Sequence, residues 1–460
     1  MEIFLVVLFI GLFGYGAWRN IRLAVFGIIA FLPTYGIRFF VGQVPFTVLE
    51  VMILVVSGVT AFRNRHAIAV CTAPSFWKKL PRKALFRNRL FLIGMLVAVG
   101  FLLSATISVF TAPSLSTALG VWRAYFIEPA LFAVVLYSVM KNVNDTKAVL
   151  WACALSALGV ALVAVYQKIT GWQIPSPWDI ERRVTSIYPY PNAIGLYIAP
   201  IIMTTFGLLL SYTSKWVAKW HRFALVPLLG GLVALVGLSI VFSKTEAAIV
   251  ALVVGFAVWG IFWGRRIRMV TLYGIGVGLF LIIAVNPLYS LVHEKLLLQD
   301  WSGYVRRTVW SESIPMLRDH WLAGAGLGGY KAVFAPYHHI SFIEIFMYPH
   351  NVILNFWSET GLYGVFFFVL LCGAVGAMGV MTLRRVRALD TEDAFQMRCF
   401  LFGTLMALLV LTIHGLVDVP YFKNDLAVQW WVFVTLIAVW YRMSITLPHA
   451  NTHSQKVPNY

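Results

Sequence analysis

Apolar runs about 17–25 residues long recur along almost the whole of this 460-residue chain, and that length matches the thickness of a bilayer core. They fall near 2–18, 23–41, 44–62, 90–111, 121–140, 148–169, 192–211, 223–242, 247–263, 269–286, 352–382, 399–417 and 427–443. A backbone in lipid must satisfy its own hydrogen bonds, so such runs read as helices. The residues are 60% hydrophobic and 12% charged, with a mean hydropathy of +0.82. Ordinary soluble domains carry about twice that charge, and a water-soluble fold is excluded. The expected fold class is an all-α integral membrane protein of 12–13 transmembrane helices, with one long external loop that contains short helices. The opening run, MEIFLVVLFIGLFGYGAW, lacks a basic leader and a small-residue cleavage site and reads as a retained segment rather than a signal peptide.

The net charge of +18 is explained by its placement. Segment 63–89 carries Arg63, Arg65, Lys78, Lys79, Arg82, Lys83, Arg87 and Arg89 and no acid, which assigns it to the cytoplasm by the positive-inside rule. Alternating outward from it, the inside segments hold 24 of the 36 Lys/Arg and only 4 of the 18 Asp/Glu. The charge is thus a topology signal and calls for no nucleic-acid partner. It places the N-terminus outside, the C-terminus inside and the long segment 287–350 outside. The organisation expected is 1–180 and 181–286 as N-terminal and central helices, 287–350 as the external loop, 351–443 as the C-terminal helices, and 444–460 as a polar, flexible cytoplasmic tail. The four cysteines, Cys71, Cys153, Cys372 and Cys399, form no CxxC and imply neither a disulfide framework nor a metal site.

Ionisable groups near a membrane face are costly, so each external one asks for a reason. Arg182 and Arg183 stand on a short loop before the span that begins at Asn192, a residue suited to cap it. They read either as interfacial anchors or as an anion site, since guanidinium matches phosphate oxygens. Lys244 lies in the turn Phe242-Ser243-Lys244-Thr245-Glu246, where Ser243 or Thr245 is suited to cap the next helix; a hairpin tip is the plainer reading. Within the long loop, Tyr304 to Leu317 is patterned as a short amphipathic helix limited by Pro315. It carries Arg306 and Arg307, with Arg318 just beyond. The glycine run at 324–329 follows no strand and reads as a turn rather than a nucleotide loop. His350 sits where the loop meets the next span, behind Pro349 and before Asn351, and is placed either to move a proton near neutral pH or simply to pack. His338-His339 is the weaker alternative. His414 and Asp418 flank a short external turn with Lys423 and Asp425, where an Asp418–Lys423 pair is expected.

The order of these elements resembles the O-antigen ligase and O-antigen polymerase superfamily of bacterial envelope glycosyltransferases. The sharpest match is His350-Asn351, nine residues, then Gly361-Leu362-Tyr363-Gly364. Arg307 to Tyr330, Arg183 to Tyr197 and the Ser243-Lys244 turn support it by order, with lysine where arginine is commoner. The match covers roughly residues 180–430.

That resemblance implies a transferase that takes a glycan from undecaprenyl diphosphate to an acceptor sugar or lipid-linked acceptor. The reaction would lie on the outer, periplasmic face of the bacterial cytoplasmic (inner) membrane, and would use no cofactor and no metal. It casts His350 as the catalytic base. Arg183, Lys244 and Arg307 become the diphosphate ligands, with Arg182, Arg306 and Arg318 in reserve and Asn351, Asp418 and His414 in support. A polymerase of the same superfamily and a membrane transporter or flippase are the alternatives.

Overall fold

A computed structural model of the chain describes residues 2–42, 44–66 and 89–446. Most of the basic 63–89 segment, Cys71 and the C-terminal tail lie outside the described residues. Helices α1 (Glu2–Arg19) and α2 (Ile21–Ala30) are separated by Asn20, whose side chain accepts the Leu23 N–H at 3.1 Å and so caps α2. The helix expected over 23–41 stops at Ala30. A 3-10 turn, Leu32–Gly36, follows, and then an antiparallel hairpin of β1 (Arg38–Val41) and β2 (Val44–Thr47). Pro33 has no N–H to continue a helix and starts the turn, and Gly42 at φ +64° turns the hairpin. A short apolar run does not itself distinguish strand from helix.

The remaining long elements are α3 (Val48–Arg63), α4 (Arg89–Thr111), α5 (Leu115–Val139), α6 (Val143–Thr170), α7 (Asn192–Ser211), α8 (Lys219–Ser243), α9 (Glu246–Trp263) and α10 (Arg265–Ala284). The segment between α10 and α14 holds α11 (Asn286–Leu296), α12 (Trp301–Asp319) and α13 (Tyr330–Phe334), and the described chain closes with α14 (Val352–Arg387), α15 (Glu392–His414) and α16 (Asn424–Thr446). Among the described residues, ten helices are long and apolar enough to cross a membrane, namely α4 to α10 and α14 to α16.

Helices α7 and α15 cross at backbone contact. A Cβ on Gly207 would stand 2.6 Å from the Cys399 carbonyl oxygen, and one on Gly403 would stand 2.7 Å from that of Met203. Glycines let two membrane helices approach this closely, and dispersion rather than hydrophobicity then holds them. In α5 five residues, Arg123–Ile127, widen into a π-turn. Arg123 lies 3.3 Å from both Glu50 and Glu128, so the three charges that the sequence scatters over two spans meet as one buried cluster. The Tyr421 hydroxyl donates to the Tyr125 carbonyl at 2.9 Å, and the Asn424 amide to that of Ala124 at 3.2 Å. The α15–α16 turn is thereby fastened to the irregular part of α5.

Helix α12 is longer than expected. Asp300 caps α12 through the Gly303 N–H, and Pro315 lies inside the helix without ending it. Met316 and Leu317 are fully buried with Tyr330 and Phe334, and that packing carries the last turn past the proline.

Candidate functional site

Asn351 positions His350. Its side chain accepts the N–H of Ile353 and Leu354 and caps α14, a contact worth about 1 kcal/mol. Its amide donates to the Leu416 carbonyl at 2.9 Å, which ties the cap to the turn after α15. His350 itself is left-handed at φ +49°, an uncommon conformation outside glycine that surrounding structure must enforce. The enforcing contacts are present. The Trp310 indole donates to the Pro349 carbonyl at 2.8 Å, the Val352 N–H to the Gly415 carbonyl at 2.7 Å, and the imidazole meets the Phe346 and Tyr348 rings edge-on, each with centroids 5.0 Å away.

The imidazole Nδ1 stands 3.6 Å from the Asp418 carboxylate, an ion-pair distance too long for a hydrogen bond. Asp418 is 2% exposed. Burial alone would raise its pKa, but His350, the charge at His414 and the Val419 N–H outweigh it and hold the carboxyl down at about 2. The expected Asp418–Lys423 pair does not form. Lys423 instead faces Asp425 at 3.9 Å and lies over the Tyr188 ring at 3.9 Å. The reason is geometric: Asp425 sits two residues from Lys423 in the first turn of α16, while Asp418 turns toward His350. His414 is buried, and among the described residues neither of its ring nitrogens has a hydrogen-bond partner.

Arg183 reaches the same place from the other side. Its guanidinium donates to the Ser243 carbonyl at 2.7 Å and to the Asn192 side chain at 2.8 Å, and lies 4.9 Å from the Trp178 ring centroid. Asn192 in turn donates to Asp418 at 3.5 Å. A relay therefore runs Arg183–Asn192–Asp418 through hydrogen bonds and reaches His350 across the 3.6 Å ion-pair gap. Asn192 occupies the first position of α7 without capping it, because Arg183 and Asp418 engage its carboxamide. Neither Ser243 nor Thr245 caps α9 through its side chain; the two hydroxyls meet at 2.7 Å instead.

Among the remaining cations, the two neighbours on α12 divide by one residue of helix. Arg306 donates to the Val417 carbonyl at 2.8 Å, beside Asp418. Arg307, its neighbour, is exposed, since successive residues diverge by about 100° around an α-helix. Arg182 and Arg318 are exposed as well. Lys244, left-handed at φ +52°, pairs with Glu181 at 2.6 Å. Lys295 bridges Glu246 and Asp300 at 2.8 and 2.9 Å, and so links the α8–α9 turn to the start of α12. His338 is held by Glu312 at 2.8 Å and the Ile343 carbonyl at 2.7 Å. No group of three or more metal-ligating side chains occurs among the described residues.

A cavity of about 820 Å³ opens beside this relay. It is walled by the hairpin end, by α5 and α6, by the loop before α7, and by α14. Tyr348 and Tyr190, whose hydroxyls are 3.3 Å apart, line it next to His350. The glycine run closes one side: Gly324, Gly326 and Gly328 all have positive φ. Ala325 N–H donates to the Ser358 carbonyl at 2.6 Å and Gly328 N–H to Glu359 at 2.5 Å. The run is a turn packed onto α14, with no nucleotide loop about it. At Gly361 (φ +70°, ψ 178°) α14 breaks, and a Cβ there would stand 1.9 Å from the Leu322 carbonyl oxygen. Trp310 supports His350 through Pro349, while Trp301 and Trp321 are exposed. Sequence reading missed Asn192 as the link in the relay and ranked Arg307 above Arg306. A polar step at Asn351, Asn355 and Glu359 on one helical face was the available signal for the cavity wall.

Fold and site together define a multi-pass membrane protein with a cation- and imidazole-bearing centre beside an open cavity. Residues 231–369 match the family model described as O-Antigen ligase, a domain match that supports the O-antigen ligase superfamily and an O-antigen ligase-type enzyme acting in O-antigen or polysaccharide assembly. The matched stretch contains Lys244, Arg306 and His350 but not Arg183 or Asp418. No curated protein matches the chain.

Proposed function

We propose that the protein transfers a glycan from undecaprenyl diphosphate to an acceptor hydroxyl at His350, on the periplasmic side of the bacterial inner membrane. The observation that carries this reading is the relay Arg183–Asn192–Asp418–His350, which brings a guanidinium and an imidazole from distant parts of the chain together, with the His350 ring against Tyr348 of the cavity wall. Asp418 on the Nδ1 side favours the Nδ1–H tautomer and leaves Nε2 free to accept a proton. The acceptor hydroxyl gives its proton to Nε2 as its oxygen bonds to the anomeric carbon. The bond from that carbon to the phosphate oxygen breaks, and the diphosphate leaves with the electron pair. Arg183 and Arg306 stabilise the developing charge, so no acid catalyst is required. Single displacement inverts the anomeric centre. Arg307, Lys244, Arg182 and Arg318 are peripheral contributors to donor capture.

The test is transfer from a lipid-diphosphate-linked oligosaccharide in membranes, comparing wild type with His350→Ala at equal expression. Full transfer by the variant would sink the mechanism.

A further inference from the structure

We infer that Asn355 and Glu359 form a sugar-hydroxyl subsite on the wall of the 820 Å³ cavity, an inference that rests on the glycan-transfer reading above. Both residues line the cavity. They are four residues apart on α14, so they share a face and are separated by about 6 Å along the axis. Both are nearly inaccessible from outside, at 1% and 4%. Among the described residues the Asn355 carboxamide oxygen has no hydrogen-bond partner. Glu359 commits Oε2 to the Gly328 N–H, and no described cation pairs with it. Buried amides are normally satisfied, so an Asn355 oxygen left without a partner, beside a carboxylate with only one oxygen engaged and both on a cavity wall, points to a ligand that supplies the missing partners.

The rest of the wall identifies the chemistry. Tyr125, Tyr188, Tyr190 and Tyr348 present rings and hydroxyls, surfaces that suit the C–H faces and hydroxyl edges of a sugar ring. Lys423, on the same wall, is already opposed by Asp425 at 3.9 Å, and Arg38 enters from the hairpin. A carboxylate oxygen accepts from vicinal hydroxyls and a carboxamide both donates and accepts, which is the pairing a diol needs. The subsite begins one turn past the Asn351 cap, so a glycan held there would extend along α14 from the reacting position at His350. The same hydroxyl chemistry belongs to the donor glycan and the acceptor glycan.

The test uses the full chain in detergent. Binding of neutral di- to tetrasaccharides of hexose and N-acetylhexosamine is read by saturation-transfer NMR for wild type, Glu359→Gln, Asn355→Ala and, as a control outside the cavity, Phe280→Ala. Glu359→Gln keeps an acceptor for Gly328, and Asn355→Ala removes no other described side-chain hydrogen bond. The expected result is a loss of affinity of tenfold or more in both Glu359→Gln and Asn355→Ala, with Phe280→Ala on α10 unchanged. In the transfer assay, KM for one glycan rises at least tenfold while kcat stays within about threefold. A rise confined to the acceptor KM assigns the subsite to the acceptor, and one confined to the donor KM assigns it to the donor. Wild type binding no saccharide, or both variants binding as wild type does, overturns the inference. Saccharide binding that needs Glu359, in a protein without transfer activity, would overturn the glycan-transfer reading and leave the subsite standing.

Discussion

Helices α16 and α10 are both apolar enough to span a bilayer, yet 89% of the spanning window of α16 is buried inside the protein and none of that of α10 is. The less hydropathic of the two lies inside. Its polar residues explain this: Gln429 donates to the Tyr197 carbonyl at 2.9 Å, Asn424 to α5, and Trp440 to Thr146 at 3.1 Å. Polar groups in a membrane must find partners within the protein, and in α16 they do; hydropathy alone does not sort the spans, since α7 equals α10 at 2.0 and is 83% buried. The candidate site lies where the buried helices α7, α15 and α16 meet the start of α14, and the α10 region stands apart from it.

The comparison is broken most severely if changes in the two regions have equal effect. Transfer should fall at least about 100-fold in His350→Ala, the size expected for loss of a general base, while Phe280→Ala on the exposed face of α10 stays within twofold; a membrane transfer assay decides. Gly361→Ala is next. It places a Cβ against the Leu322 carbonyl in a left-handed position and should cost about 1–3 kcal/mol, seen as a lower thermal midpoint in detergent, whereas Gly276→Ala, which meets open space on α10, should not. Arg183→Ala should weaken donor use by about tenfold or more and Arg306→Ala by less, with Arg307→Ala least affected; donor KM measures this.

The smallest effect expected is a pH response at the loop. Burial works to lower the His338 pKa, but Glu312 and the Ile343 carbonyl more than offset it and leave the pKa raised. A raised pKa stabilises the fold below the ordinary histidine value near 6.5, and the contribution is lost as pH rises through the folded value. The protection of amides 335–345, measured relative to their intrinsic base-catalysed exchange, should therefore be lower at pH 8.5 than at pH 5.5, and Glu312→Gln should remove the difference.

Much of this was legible in the sequence. Run length identified the long helices, because 1.5 Å per residue and a fixed bilayer thickness leave little choice. It failed at 23–41, where Pro33 and Gly42 redirect an apolar stretch that no lipid-length argument could parse. His350 was legible from its place at a loop–span seam, and Arg183 from its place ahead of α7. Their connection was not, because Asn192 and Asp418 are 226 residues apart and meet only through the crossing of α7 and α15. The preference for Arg306 over Arg307 depends on helix rotation, which requires the docked position of α12.

The break at Gly361 has a practical consequence for engineering. The loop turn and the first two turns of α14 are joined by Ala325–Ser358, Gly328–Glu359 and Leu362–Trp321 contacts, so they form one piece that ends at the break. Chimeras that exchange 301–360 as a block should keep both sides of every one of those contacts except the last. Grafts cut at residue 350 would split the piece through its middle and should fold poorly, which expression and thermal melting of paired chimeras would reveal.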